Sequence, residues 1–348
     1  MSGFEIGGRP VGVGAPPYII AEAGVHHRND VELACRYMEE AATAGANAIK
    51  FQTYTSDRLA ARWAPTYWDE TEERTQHEIF SKRALLTDAE YQRLADYASE
   101  LGIHFLSTPF DPDAATLLAR LGVPAFKIAS ADVTHLPLLG EVASHGRPVL
   151  LSTGASTMQE VERAVDVLTK AKIPLALLHC SLAYPTPLDD ANLRRIMMLK
   201  EFFPGTVLGY SDHTLPPDAE LACALAVGLG ASVVEKHFTL EPSAAGDDHL
   251  HAVDPEGLRR LVDWCGKAAA MTAEPEEVRE VEIPARTNAR RSIVAARNID
   301  AGSILSEEDI DFKRPGTGLS PGEAGTVLGR RVARDLQRDA LILPDHLE

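Results

Sequence analysis

Eight short apolar runs, spaced by helical patterns, constrain this chain more than any other feature. They fall at residues 18–22, 48–52, 104–108, 125–129, 149–152, 175–179, 207–210 and 232–235. Each is the length of an ordinary strand. Most are apolar throughout, as strands covered on both faces must be. Amphipathic stretches such as 30–44, 87–101 and 255–271 lie between or after them. Eight strands interleaved with helices call for an α/β fold, a closed (β/α)8 TIM barrel rather than a doubly wound open sheet.

A barrel needs about 250 residues, and the chain has 348. The division expected is a barrel over residues 1–271, a charged linker with Pro275 and Pro284 over 272–286, and a small β-rich domain over 287–348. The Gly-rich start reads as a hairpin. The segment 53–82, which carries Trp63, Tyr67 and Trp68 with many charges, reads as a long loop over the barrel mouth.

Charge and cysteine usage exclude several function classes. A formal net charge of −17 leaves no surplus of Lys and Arg for phosphate backbones, so nucleic acid is not an expected partner. An anionic small substrate would need a locally basic pocket. Cys35, Cys180, Cys223 and Cys265 form no CxxC pair, which fits a reduced cytoplasm and neither a thiolate zinc site nor a redox motif. No stretch of about twenty apolar residues or basic leader occurs, so membrane insertion and secretion are not expected.

The chemistry should sit where the strands end, because active sites of such barrels lie at the C-terminal face. His213 and His237 follow or close the last two apolar runs and could converge on one metal. Two unrelated core histidines are the plain alternative. Lys50, Lys127, Thr108, Ser130, Ser152 and Ser211 also fall at or just past strand ends, a set of cations and hydroxyls suited to a carboxylate and a phosphate. Lysines inside apolar strands are costly unless paired.

The strings IIAEAGVHH, AIKFQTY, FLSTPFD, FKIASAD, LLSTGAS, LLHCSLAYPTP, GYSDHT, EKHFTL, GDDH and FKRPGTG occur in that order along nearly the whole chain. Together they resemble the N-acetylneuraminate (sialic acid) synthase family. The resemblance implies a barrel joined to a C-terminal SAF (antifreeze-like) domain and a domain-swapped homodimer. It implies condensation of phosphoenolpyruvate with an N-acylated sugar aldehyde, with release of phosphate, and a divalent metal, Mn2+ or Mg2+. By resemblance, Lys50 and Thr108 hold the phosphoenolpyruvate carboxylate, while Lys127, Ser130, Ser152 and Ser211 hold its phosphate. Glu22 takes the place of the essential glutamate, and Asp132 that of a carboxylate assisting water. Gln52, Tyr184, Glu235 and Asp248 fall where sugar contacts are expected, and Arg314 where an arginine reaches the N-acyl group in the other subunit's barrel.

The chain departs from the family pattern in three places. His26-His27-Arg28-Asn29 stands where Asn-His-Asn-Gly is usual. Leu182 replaces an Asn that binds phosphate, so the phosphate site is expected to reorganise through Ser181 or Arg28. The nearest counterpart of a sugar-contacting Asn is Thr71. These changes bear on which sugar is used: N-acetylmannosamine giving N-acetylneuraminate, or aldoses giving legionaminate, pseudaminate or another deoxy-ulosonic acid. Rival readings are a metal-dependent lyase or hydrolase on the same barrel, and a catalytically silent sugar-binding protein in which Glu22→Gln would change nothing.

Overall fold

The structure is a computed structural model and describes residues 3–66, 73–83, 86–244, 246 and 248–348. Tyr67, Trp68, Thr71 and Asp247 lie outside the described residues. The chain divides into two compact units, Met1–Ala273 and Glu274–Glu348.

The first unit opens with an antiparallel hairpin, β1 (Gly3–Ile6) and β2 (Arg9–Gly12). Eight parallel strands follow: β3 (Tyr18–Gly24), β4 (Ala48–Thr53), β5 (His104–Pro109), β6 (Phe126–Ile128), β7 (Val149–Ser152), β8 (Leu175–His179), β9 (Val207–Asp212) and β10 (Val233–His237). They form one sheet in the order β5-β4-β3-β10-β9-β8-β7-β6. Its two ends, β5 and β6, lie against each other, which gives the TIM-barrel arrangement with helices outside. The helices start where the sequence supplies caps. Asp30 accepts from the amides of Glu32 and Leu33, and Thr87 and Thr157 form reciprocal capping boxes with Glu90 and Glu160. No helix among the described residues is long and apolar enough to cross a membrane.

Side chains alternate in and out along each strand, and the two faces have separate cores. Ile19, Ile49, Phe105, Ile128 and Leu177 face the helices. Tyr18, Ile20, Ala48, Leu106, Leu150 and Val233 fill the inside of the barrel, with Ile6 and Val11 of the hairpin packed against them. Followed toward the strand C-termini, the inward positions turn polar. Glu22 comes two residues after Ile20, Lys50 after Ala48, Thr108 after Leu106, Ser152 after Leu150 and Glu235 after Val233. The apolar layer thus seals one end and leaves the chemistry at the other.

Outside the strands the expectations need adjusting. The segment 53–82 is not all loop: Thr53 extends β4, and Ser56–Leu59 and Gln76–Phe80 are short helices. Thr75 and Glu78 cap the second of these reciprocally. The span 272–286, expected as a linker, includes a 3-10 turn Glu280–Glu282 and the start of helix Ile283–Ala289, whose Pro284 sits in its first turn. In the second unit, β11 (Ser292–Ala295) pairs antiparallel with β12 (Ile310–Lys313), and bridges such as Val294 with Leu341 and Ile299 with Leu336 extend the β-rich module. Ile293, Leu305, Val327, Val332 and Ile342 form its core. All four cysteines are buried and free.

Gly209, on an inward position of β9, has no room for a side chain. A Cβ there would stand 2.7 Å from Leu178 Cγ and 2.8 Å from the Val233 carbonyl oxygen. Because the second neighbour is backbone, Gly209→Ala should destabilise the barrel by about 1–3 kcal/mol in urea denaturation. An unchanged midpoint would contradict this packing.

Candidate active site

At the C-terminal end of the strands a cavity of about 630 Å3 opens into the barrel. Its floor is a cluster of four buried charges. Lys50 Nζ lies 2.7 Å from Glu22 Oε2 and 4.0 Å from Glu235 Oε1, and it donates to Thr108 Oγ1 at 2.9 Å. Lys127 Nζ stands 3.1 Å from Glu235 Oε1, which also accepts from Ser211 Oγ at 3.0 Å. Gln52 Nε2 donates to Glu22 Oε1 at 3.3 Å. Burial pushes Glu22 up to about 7, with Glu235 adding to the rise and Lys50 and Lys127 opposing it. Glu235 is held below its ordinary value: burial would raise it, but Lys127 and Lys50 together outweigh that cost. Lys50 is raised despite its burial, because Glu22 and Glu235 favour its charged form.

Ser130 and Ser152 belong to the adjoining wall, with Gly154 packed behind Ser130. Ser152 Oγ is buried without a hydrogen-bond partner among the described residues. A Cβ on Gly154 would stand 2.7 Å from Cys180 Sγ and 3.2 Å from Ser130 Oγ, so glycine is what lets this backbone approach.

Beside the charges lies a group of imidazoles. His213 Nδ1 donates to the Ser181 carbonyl at 2.8 Å, a bond that assigns the proton to Nδ1 and leaves the Nε2 lone pair for a ligand. The rings of His213 and His237 are 5.4 Å apart between centroids, those of His237 and His251 4.6 Å, and those of His213 and His251 5.9 Å. His237, Asp248 and His251 offer ligand atoms that all lie within 4.8 Å of one another. Burial drives all three histidines to the neutral form, His213 down to about 4, His251 to about 2 and His237 well below its ordinary value. Neutral imidazoles grouped with a carboxylate, as His237 and His251 are with Asp248, fit a divalent ion.

Behind the histidines, on the outer face of the sheet, Lys236 Nζ is fully buried at 2.6 Å from Asp212 Oδ2 and 2.6 Å from the Thr214 carbonyl. Asp212 also accepts from Tyr210 Oη at 2.7 Å and Thr214 Oγ1 at 3.0 Å. This clamp ties the residue preceding His213 to the residue preceding His237.

The barrel residues singled out from sequence line this one cavity: Glu22, Lys50, Gln52, Thr108, Lys127, Ser130, Asp132, Ser152, Tyr184, Ser211, His213, Glu235, His237 and Asp248. Within it Glu235, expected at the sugar, stands among the lysines. Tyr184, also expected at the sugar, packs its ring against His213 at 4.4 Å and His251 at 5.5 Å. Arg314 belongs to the second unit and is exposed. Two expectations are corrected. Arg28 pairs with Glu241 at 2.7 Å on the surface, and Ser181 Oγ donates to the Asp190 carbonyl at 2.8 Å, so neither lines the cavity that Leu182 does line. Each found a stronger local partner. Sequence reasoning missed His251, the Lys236–Asp212 clamp and Arg83, which lines the mouth with Gln76, Ile79 and Phe80.

Residues 37–277 match the family described as NeuB family, and residues 290–348 match the SAF domain. An N,N'-diacetyllegionaminic acid synthase of Legionella pneumophila is 37% identical over 98% of this chain and 97% of its own. An N-acetylneuraminate-9-phosphate synthase of Drosophila melanogaster is 32% identical over 94% of each chain. Among solved structures, an N-acetylneuraminic acid (sialic acid) synthetase from Leptospira borgpetersenii serovar Hardjo-bovis is 34% identical with a TM-score of 0.73, covering 81% of this chain and 94% of that one.

Asp132, at the cavity wall, gives a measurable consequence of burial, which raises it from 3.8 to about 6 against the pull of His135. A carboxyl that holds its proton more tightly when folded contributes stability below its unfolded value and loses it as pH rises through the folded one. Asp132→Asn should therefore be more stable than the parent by about 1–3 kcal/mol near pH 7.5, the gain fading to nothing as pH falls toward about 4. A pH-independent difference in urea titrations would contradict that origin.

Proposed function

The chain belongs to the NeuB family, and from that premise we propose that it condenses phosphoenolpyruvate with an N-acylated aldose to give a nonulosonic acid and phosphate. The observation that carries this reading is the pair of buried lysines, Lys50 and Lys127, sharing one cavity with hydroxyls and a set of imidazoles. An enol phosphate carries a carboxylate and a phosphate on neighbouring carbons, and two cations in one cavity suit that pair of anions.

In this reading Lys50 and Thr108 take the carboxylate, while Lys127, Ser130, Ser152 and Ser211 take the phosphate oxygens. Fixing both ends presents the methylene carbon to the aldehyde carbon and removes most of the orientational entropy of the encounter. A new carbon–carbon bond leaves positive character at the neighbouring carbon, which water attacks. The C–O bond of the adduct then breaks, phosphate leaves with the bridging oxygen, and a keto group remains. Glu22, protonated when the anion binds, gives its proton to the aldehyde oxygen as the carbon–carbon bond forms. As the carboxylate it then accepts the proton of the attacking water, a task matched to a carboxyl poised near neutrality, and Asp132 orients that water. Gln52, Tyr184 and Asp248 face the sugar, with Arg314 at its N-acyl group. A divalent ion such as Mn2+ or Mg2+, held by His213 and His237, would supply Lewis acidity to the aldehyde oxygen.

Purified protein with a divalent metal, phosphoenolpyruvate labelled with 18O at the bridging position, and a panel of N-acyl aldoses tests the reaction. The panel includes N-acetylmannosamine and diacetamido sugars of the legionaminate and pseudaminate type. The expected result is sugar-dependent formation of a deoxy-keto acid with the label in phosphate; label in the keto acid, or phosphate released without sugar, would overturn it. Glu22→Gln should lose about 100-fold or more in kcat.

The same reading has the tail of each subunit serving its neighbour's barrel in a homodimer. Mixing Arg314→Ala subunits with Glu22→Gln subunits should then regain activity that neither homodimer has, whereas tails serving their own barrels would give none.

A further inference from the structure

The two histidines at the ends of adjacent strands do not account for every imidazole in the site. His251 lies on the 3-10 turn His249–His251, which follows β10. It is 2% exposed, and its Nε2 has no hydrogen-bond partner among the described residues. His237 Nδ1 is likewise buried without a hydrogen-bond partner among them. Asp248 holds a carboxylate oxygen 3.9 Å from each of these two nitrogens. An unsatisfied buried polar atom costs about 1–3 kcal/mol, and among the described residues His27 Nε2 and His179 Nδ1 are orphaned singly in this way. Here two such atoms face a common carboxylate instead. Two ligands each about 2.1 Å from an ion stand at most about 4.2 Å apart, so a small turn of the rings brings this group into one coordination sphere.

We infer that His251 is a third imidazole ligand of the metal in this site, and that the nitrogen-rich donor set it completes takes Fe2+, Co2+ or Zn2+ in preference to Mg2+. The inference rests on the reading above, in which the site holds a divalent ion. Mg2+ prefers oxygen donors and keeps its waters, whereas imidazole suits the later transition ions. His213 lies beside this group, its ring 5.4 Å from that of His237 between centroids, with Nδ1 bonded to Ser181 and Nε2 left to serve as a ligand; three nitrogens and one carboxylate favour the second group. His251 then sets the choice of metal, while His213 and His237 fix where it sits.

The test uses the full-length protein stripped with a chelator, with Co2+ and Mg2+ as the probes. Calorimetry should give Co2+ binding at least about 100-fold tighter than Mg2+ in the parent. His251→Ala should weaken Co2+ by about 10- to 100-fold or more and leave Mg2+ within about twofold, narrowing the ratio. Proton NMR of the Co2+ form labelled with 15N-histidine should show three hyperfine-shifted ring N–H signals in the parent and two in His251→Ala. Equal Co2+ affinity in parent and variant, or only two shifted signals in the parent, overturns the role of His251 while leaving a metal at His213 and His237. No binding of either ion to the parent overturns the metal reading itself. Should His251→Ala fail to fold by circular dichroism, the count of signals in the parent decides alone.

Discussion

Four charges buried at the mouth of the barrel depend on one another, and the site depends on them. Lys50 and Lys127 would be too costly to desolvate alone, as would Glu22 and Glu235. Linked in a chain by three ion pairs of 2.7 to 4.0 Å, Glu22 to Lys50, Lys50 to Glu235 and Glu235 to Lys127, they are tolerated as a near-neutral group. The strands bring them together without special loops, because each sits on an inward position two residues beyond an apolar one. Removing a single member leaves a partner uncompensated, which costs about 3–5 kcal/mol in comparable buried pairs. The cluster is therefore held by the fold and also holds it, and a cation made available for a substrate is one the barrel already needs for its own balance.

The outer face of the sheet carries a second buried pair that bears on the same site. Lys236 and Asp212 are both 0% exposed, so their ion pair lies in the layer between strands and helices. Its bond to the Thr214 carbonyl and those from Tyr210 and Thr214 to Asp212 leave little freedom to the backbone on either side of His213. An imidazole that has only one ring hydrogen bond, such as His213 to Ser181, gains its direction from a backbone fixed in this way. Orientation of the inward groups is thus secured from behind, where solvent and substrate do not reach.

Much of this was legible in the sequence because strands announce themselves by period and barrels by repetition. Val149–Ser152 and Leu175–His179 form as read, and the final helix Pro255–Met271 begins at the Asp254-Pro255 cap that marks it. Lys50 and Lys127 stood out because they interrupt apolar runs, and Glu22 through the family resemblance at the end of the first strand. Strand parity could also have given the Lys236–Asp212 pair: with Glu235 and His237 pointing inward, Lys236 must point outward, and a lysine in that layer needs a buried acid. His251 offered no such handle. It follows a polar segment with no period, and only the return of that segment over the strand ends brings it beside His237. Arg28 and Ser181 failed for a related reason, since position in a motif does not say which way a side chain turns when Glu241 or the Asp190 carbonyl is nearer.

The acidity of the whole chain and the chemistry of its mouth are reconciled by the protonation of the cluster. A net charge of −17 repels an anion at long range, though salt screens that field within about 10 Å, so attraction must come from inside the cavity. There Lys50 and Lys127 already have carboxylate partners, and in the proposed reaction an arriving anion would compete with Glu22 and Glu235 for them. The two carboxyls are not equivalent rivals. Glu235, lowered by two lysines and a serine, stays ionised and keeps Lys127 in place. Glu22, raised to about 7, gives up its charge at small cost near neutral pH. In the proposed reaction this would free Lys50 for the substrate, and entry of an anion and uptake of a proton by Glu22 would be coupled, because each removes the repulsion that opposes the other.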